Sequence, residues 1–219
     1  MPVKVGLKYI EIWGESMEDQ VLAYEKEPIE KGKIVFYGPS NFTRWSAKYG
    51  MKPMADTLLG KSGEKCVINR GFGSTCSEHQ LYYYDRMIRP LEPRVLVYHP
   101  FGNYRAFGYS LEEAWELAER VIAYAMTDFP GIHIYLSIPT PKKADRNFTE
   151  ELLKKQSVSL LKEFCREHEN CFYIDSSGYE ELNTRKDIFV EDGVHFNQEG
   201  YDLYAEVFRE ALADELNKY

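Results

Sequence analysis

The chain predicts an α/β protein in which a central parallel sheet of five strands is covered on both faces by helices. Two observations carry this reading. Short apolar runs at 33–37, 66–69, 94–98, 132–138 and 172–175 have the length of buried strands, several with β-branched residues. Helical patterns lie between and after them, at 76–89, 111–127, 149–168 and 197–217. Strands that alternate with helices imply right-handed crossovers and a parallel sheet. A length of 219 residues suits one domain with a sizeable core.

Residues 1–30 are expected to form an N-terminal extension with a short helix around Met17–Glu27 packed on the core, and 31–219 the main domain. The first strand, Ile34-Val35-Phe36-Tyr37, stops abruptly at Gly38-Pro39-Ser40, because Gly and Pro break it. Residues 76–89 lead out of a Gly71–Thr75 loop. In 111–127, Leu111, Ala114, Trp115, Ala118, Val121, Ile122 and Ala125 recur at helical spacing, with Ser110 as N-cap. Leu152, Leu153, Leu160, Leu161 and Phe164 mark the helix at 149–168. Tyr201, Tyr204, Val207, Phe208, Ala211 and Leu212 mark the last one. No repeat, low-complexity run or linker divides the chain.

Hydrophobic residues make up 44% and aromatics 15%, as in a globular protein. A net charge of −8, with no basic cluster interleaved with aromatics, argues against nucleic acid as a partner. Met1-Pro2-Val3-Lys4-Val5 begins no signal peptide, and no segment approaches a membrane span, so a cytoplasmic location is expected. Cys66, Cys76, Cys165 and Cys171 lack metal-ligand spacing and read as free thiols; a Cys165–Cys171 disulfide is not indicated.

Chemistry concentrates at two places. Asp192-Gly193-Val194-His195 sets a carboxylate three residues before an imidazole at the mouth of the last helix, so that both can point into one site. The carboxylate can orient the ring, and the ring can act as a general base. An Asp-Gly pair is also an ordinary turn, and a helix-entry His is often merely packed. Ser40 is the residue that needs such a base. It sits at the carboxyl end of the first strand, where open α/β sheets bind ligands, and a hydroxyl is a poor nucleophile alone. The bland reading of Ser40 is an N-cap.

In these blocks the chain resembles the SGNH (GDSL-type) hydrolases, esterases and acylhydrolases on a flavodoxin-like fold. Gly38-Pro39-Ser40 falls where that family carries its nucleophile, and Asn69-Arg70-Gly71-Phe72-Gly73 where it carries an oxyanion-hole Gly. Tyr98-His99-Pro100-Phe101-Gly102-Asn103 falls at its Asn block, and Asp192-Gly193-Val194-His195 closes the triad. The likeness spans roughly 20–215. It implies a flavodoxin-like three-layer sandwich with a central five-stranded parallel sheet. It also implies a Ser40–His195–Asp192 triad, with an oxyanion hole from Ser40, Gly71 and Asn103.

Two departures stand out. Pro39 replaces the usual Asp and removes a backbone donor. In the third block, an alignment without a gap gives Gly102 the Asn place and Asn103 the Asp place. A shift of one residue gives Asn103 the Asn place, which the need for an amide donor favours.

The resemblance implies hydrolysis of a short acyl ester, such as an O-acetyl group on a carbohydrate or similar polar alcohol, with no cofactor or metal. Nothing in the sequence sets the oligomeric state. Asn41, Arg70 and His99 are candidate cleft residues; Arg70 reads equally as a brace for its loop, and His99 as packing. Tyr37, Phe72, Phe101 and Tyr104 are aromatics that could stack on a sugar or pack loops. His79, His133 and His168 read as structural or solvated. Pro139 and Pro141 are expected to shape a loop beside the cleft. The competing reading is a non-catalytic SGNH-like binding domain. A flavodoxin-like nucleotide binder would want a phosphate-cradling loop after the first strand, which Gly38-Pro39 suits poorly.

Overall fold

A computed structural model of the chain describes residues 14–138, 140–144 and 147–219. Residues 1–13 of the expected N-terminal extension, and Pro139 of the expected cleft loop, lie outside the described residues. Five strands form one sheet: β1 (Ile34–Gly38), β2 (Val67–Gly71), β3 (Val95–Tyr98), β4 (His133–Ser137) and β5 (Cys171–Ile174). All neighbours pair in parallel, in the order β2-β1-β3-β4-β5. This is the flavodoxin-like order, whose topological switch lies between β1 and β3.

Each strand runs within a residue or two of its apolar stretch, and β1 and β3 are buried on both faces. Along β1, Val35 and Tyr37 enter one core while Ile34 and Phe36 enter the other. The first core receives Met17 and Val21 from α1 (Gly14–Glu25), and Ala118, Val121 and Ile122 from α6 (Leu111–Asp128). The second receives Phe42 from α2 (Ser40–Thr43), and Tyr201, Tyr204 and Phe208 from α9 (Gln198–Ala211). Helices therefore cover both faces of the sheet.

The helix starts follow side-chain capping. Ser110 Oγ accepts from the Glu113 N–H at 3.2 Å while Glu113 Oε2 accepts from the Ser110 N–H at 2.9 Å. Asn147 and Glu150 repeat this exchange ahead of α7 (Phe148–Glu167). Asn197 caps α9 through the Gly200 N–H at 3.0 Å.

Two predicted helices are interrupted. Region 76–89 divides into α4 (Ser77–Tyr82) and α5 (Tyr84–Met87), followed by a 3-10 turn at Arg89–Leu91. The step falls at Tyr83 (φ −95°, ψ 5°), whose buried ring meets Phe72 edge-on at 5.3 Å. The last helix breaks at the fully buried Leu212 (φ −103°, ψ 12°) before α10 (Ala213–Leu216). Three single-turn helices, α2, α3 (Met54–Thr57) and α8 (Glu180–Thr184), are too short to leave a periodic signal. All four cysteines are free thiols.

α2 crosses the end of β2 at close range. A Cβ added at Gly71 would lie 2.1 Å from Thr43 N and 2.5 Å from Phe42 C, so only glycine lets the two backbones touch. Gly71→Ala is expected to cost about 3 kcal/mol of unfolding free energy, the upper end of common overpacking penalties. Gly73→Ala is the control, because its added carbon would first meet Gln20 Oε1 at 3.1 Å, the movable end of a side chain. Urea denaturation of both variants checks this, with Gly73→Ala expected to lose far less.

Candidate active site

β1 ends on a glycine, Gly38, where a Cβ would strike His99 Cβ at 2.8 Å and the Phe42 ring at 2.9 Å. Pro39 (φ −75°) turns the chain, and Ser40 opens α2, so its N–H belongs to the first helical turn and has no intrahelical partner. Side chains from three directions hold this turn. Asn69 Nδ2 donates to Phe42 O at 2.7 Å, the Tyr201 hydroxyl donates to Asn41 O at 2.9 Å, and Asn41 Nδ2 donates to Thr140 Oγ1.

The Asp-Gly-Val-His segment forms a tight loop closed by a bridge between Phe189 and Phe196. Within it the Val190 N–H donates to His195 O at 2.9 Å. Gly193 supplies the left-handed φ of 65° that the turn needs. Asp192 Oδ1 accepts from the Val194 and His195 N–H groups, each at 2.9 Å. The loop thereby aims both functional side chains at α2.

Asp192, His195 and Ser40 stand in line. Asp192 Oδ2 lies 2.7 Å from His195 Nδ1, and His195 Nε2 lies 2.8 Å from Ser40 Oγ. A carboxylate can only accept, so the ring proton resides on Nδ1, and Nε2 is left to accept from the Ser40 hydroxyl. Burial works against ionisation of Asp192, yet the His195 N–H, its ring and the Val194 N–H together bring its pKa down to about 2. The Arg44 guanidinium reaches the same Oδ2 at 3.2 Å.

A cleft of about 310 Å³ opens in front of Ser40, between the segments that follow β1 and β3 and the amino-terminal half of α7. Ser40, Asn41, His99 and Asn103 all line it. His99 is buried against the Phe42 edge, and burial lowers its pKa to about 4, so the ring is neutral. Asn103 (φ 50°) donates one Nδ2 proton to Thr75 O at 3.0 Å. Gly102 packs on Pro39: an added Cβ would fall 2.6 Å from the proline ring. The proline that departs from the family pattern therefore fits because residue 102 has no side chain.

Other expectations are corrected. The Gly71 N–H is not presented to Ser40; it donates to Asn69 Oδ1 at 2.7 Å, and Gly71 does not line the cleft. Arg70 is not a cleft residue. Its buried guanidinium pairs with Glu27 and lies 4.8 Å over the Tyr24 ring, so it braces α1 against β2. Tyr37 donates to Gln80 O and Phe72 packs on Tyr83, both inside the core. Phe101 and Tyr104 do line the cleft, but at 4% and 8% exposure they offer little face for stacking. His133 takes the structural one of its two readings, with Nδ1 2.5 Å from Glu215 of α10.

Sequence reasoning missed Asn69 and Ser74. Asn69 links β2 to α2, and its place in an apolar strand was the one available signal. Ser74 takes a left-handed φ of 63° in the turn after β2, which nothing in the residue type announces. The N–H groups on either side of it donate to Gln20 Oε1 and to Phe72 O. Among the described residues no group of three or more His, Cys, Asp or Glu side chains is placed to hold a metal ion. No helix among them is long and apolar enough to cross a membrane.

No family model matches the chain, and no curated protein matches its sequence. Solved structures do match. A Streptococcus pneumonia protein described by reference to platelet activating factor superposes with a TM-score of 0.68 at 17% identity, over 96% of this chain and 97% of its own. A GDSL-like lipase from Bacteroides thetaiotaomicron gives 0.64 at 17% identity, over 92% and 97%. An acetyl-xylooligosaccharide esterase variant from Geobacillus Stearmophilus gives 0.64 at 14% identity, over 85% and 96%. The chain has the fold of the SGNH (GDSL-like) hydrolases.

The depressed pKa of Asp192 carries a stability consequence. Its native value of about 2 lies below the ordinary 3.8, so the bonds it accepts stabilise the fold above about pH 4. That contribution is lost as pH falls through about 2. In urea titrations, wild type is expected to lose stability relative to Asp192→Asn between about pH 4 and pH 2. A constant difference between the two across that window would refute the linkage.

Proposed function

We propose that this protein is a serine esterase, an acylhydrolase that cleaves a short acyl ester by a Ser-His-Asp acyl-enzyme mechanism. The observation that carries the reading is the unbroken line Asp192–His195–Ser40, at 2.7 and 2.8 Å, beside the β1/β3 switch of the sheet. Solved structures of this fold described as a GDSL-like lipase and an acetyl-xylooligosaccharide esterase are in keeping with it.

Ser40 Oγ attacks the acyl carbon while His195 Nε2 takes its proton. Asp192 holds the Nδ1–H tautomer and stabilises the imidazolium. The proton then passes from His195 to the leaving alcohol. Water attacks the acyl-enzyme with His195 again as base, which releases the acid and restores Ser40. Charge developing on the carbonyl oxygen is met by the Ser40 N–H and by the second Nδ2 proton of Asn103. The Gly71 amide is spent on Asn69 Oδ1, so the proposed hole has two donors. A cleft of about 310 Å³ sits at the small end of ligand sites and suits a short acyl group. Asn41, Asn103 and Thr140 in its mixed lining could bond a polar alcohol, carbohydrates included.

Ser40→Ala and His195→Ala are each expected to remove at least about three decades of kcat on an activated acetyl ester, and the double variant should lose little more. Circular dichroism should show both variants folded. A serine-directed phosphonate should label Ser40 in wild type and not in His195→Ala; an unlabelled wild type would favour the binding-domain reading.

Asn103→Ala is expected to lower kcat by about two decades with KM nearly unchanged, since the donated bond tightens only in the transition state. Steady-state kinetics decide: a loss below about threefold removes Asn103 from the oxyanion hole.

A further inference from the structure

Cationic side chains gather in the cleft of a protein whose net charge is −8. Arg105, Lys142 and Lys154 line it against a single carboxylate, Glu150. Glu150 is already committed, since it pairs with Lys142 at 3.0 Å and caps α7 through the Asn147 N–H at 3.2 Å. Among the described residues Arg105 has no carboxylate partner. Every other arginine among the described residues reaches one, except Arg94, which lies at the amino end of β3 and so at the opposite edge of the sheet.

Arg105 is also held in place. It sits in the 3-10 turn Tyr104–Phe107, between Asn103 and Gly108, both in left-handed backbone. Tyr104 and Phe107 anchor that turn in the core, and the Ala106 and Gly108 N–H groups close it at 2.9 and 3.0 Å. The guanidinium thus starts from a fixed base two residues beyond Asn103. Across the cleft, Lys154 and Ser157 lie on one face of α7.

We propose that the ester this site takes carries a negative charge, a carboxylate or a phosphate, held by Arg105 with Lys154 on the facing wall. The proposal rests on the esterase reading. A planar guanidinium with no competing acid among the described residues matches the paired oxygens of either anion, and a lysine opposite adds a point charge without demanding geometry. A neutral short-chain ester would leave the Arg105 charge uncompensated at the cleft wall.

Matched substrates test it. 4-Nitrophenyl hemisuccinate against 4-nitrophenyl butyrate places the charge on the acyl group. 4-Acetoxybenzoate and 4-acetoxyphenyl phosphate, each against 4-methylphenyl acetate, place a carboxylate or a phosphate on the alcohol. In at least one arm kcat/KM should favour the anion by tenfold or more at low salt. That preference should shrink as salt rises and screens the charge. Arg105→Met should cut the anion-to-neutral ratio at least fivefold, and Arg105→Lys should restore part of it. A neutral ester preferred in every arm, or a ratio unmoved by Arg105→Met, overturns the proposal while Ser40 is still labelled by the phosphonate. Absence of that labelling overturns the esterase reading and this proposal with it.

Discussion

The site depends on one close approach, the seating of α2 on the end of β2. A four-residue helix has no stability of its own, since nucleation costs more than one turn returns. What holds it is contact: Gly71 lets the two backbones touch, and Asn69 binds Phe42 O with one end of its amide and the Gly71 N–H with the other. Tyr201 adds a bond from α9. Ser40 is therefore fixed from the sheet below and the last helix beside it, and His195 finds it at 2.8 Å across 155 residues of chain. Losing the glycine would move a backbone rather than a side chain, and the hydroxyl would move with it.

Electrostatics at the far end of the line follow from exposure. Asp192 is 37% exposed, so its attraction to Arg44 at 3.2 Å is screened by solvent and worth little by itself. The backbone and ring hydrogen bonds are better directed, and they outweigh burial in keeping the carboxylate ionised. Arg44 meanwhile lies 5.2 Å over the Tyr49 ring and shares Oδ2 with the imidazole. It thus ties α2 to the loop that carries Asp192 and His195. The cleft on the other side of Ser40 reverses the sign of the protein's overall charge, which a uniformly acidic surface would not do.

Much of the fold was legible because burial on both faces writes continuous apolar runs, and β1, β3 and β4 appear as such. Ser110 was legible as a cap because its Glu partner is three residues away, and local geometry suffices for that exchange. The helix breaks at Tyr83 and Leu212 were not. Both residues suit a helix by type, and each leaves it only because a neighbouring layer offers its side chain a buried place. For the same reason Arg70 could be read toward the cleft or toward its own loop until Tyr24 of α1 and Glu27 just beyond it took up its guanidinium.

By itself the sequence determined the residue types that meet at the site and the edge of the sheet they share. Ser40 and Asn103 follow strands, while Asp192 and His195 lie in the loop just before the last helix, so alternation of strand and helix brings them to one side. Only the tertiary structure decided which backbone donors remain free. The Gly71 amide is spent on a side chain two residues away, which depends on how β2 and α2 pack. Side-chain identity is written residue by residue, whereas the direction of an N–H is a property of the folded backbone as a whole.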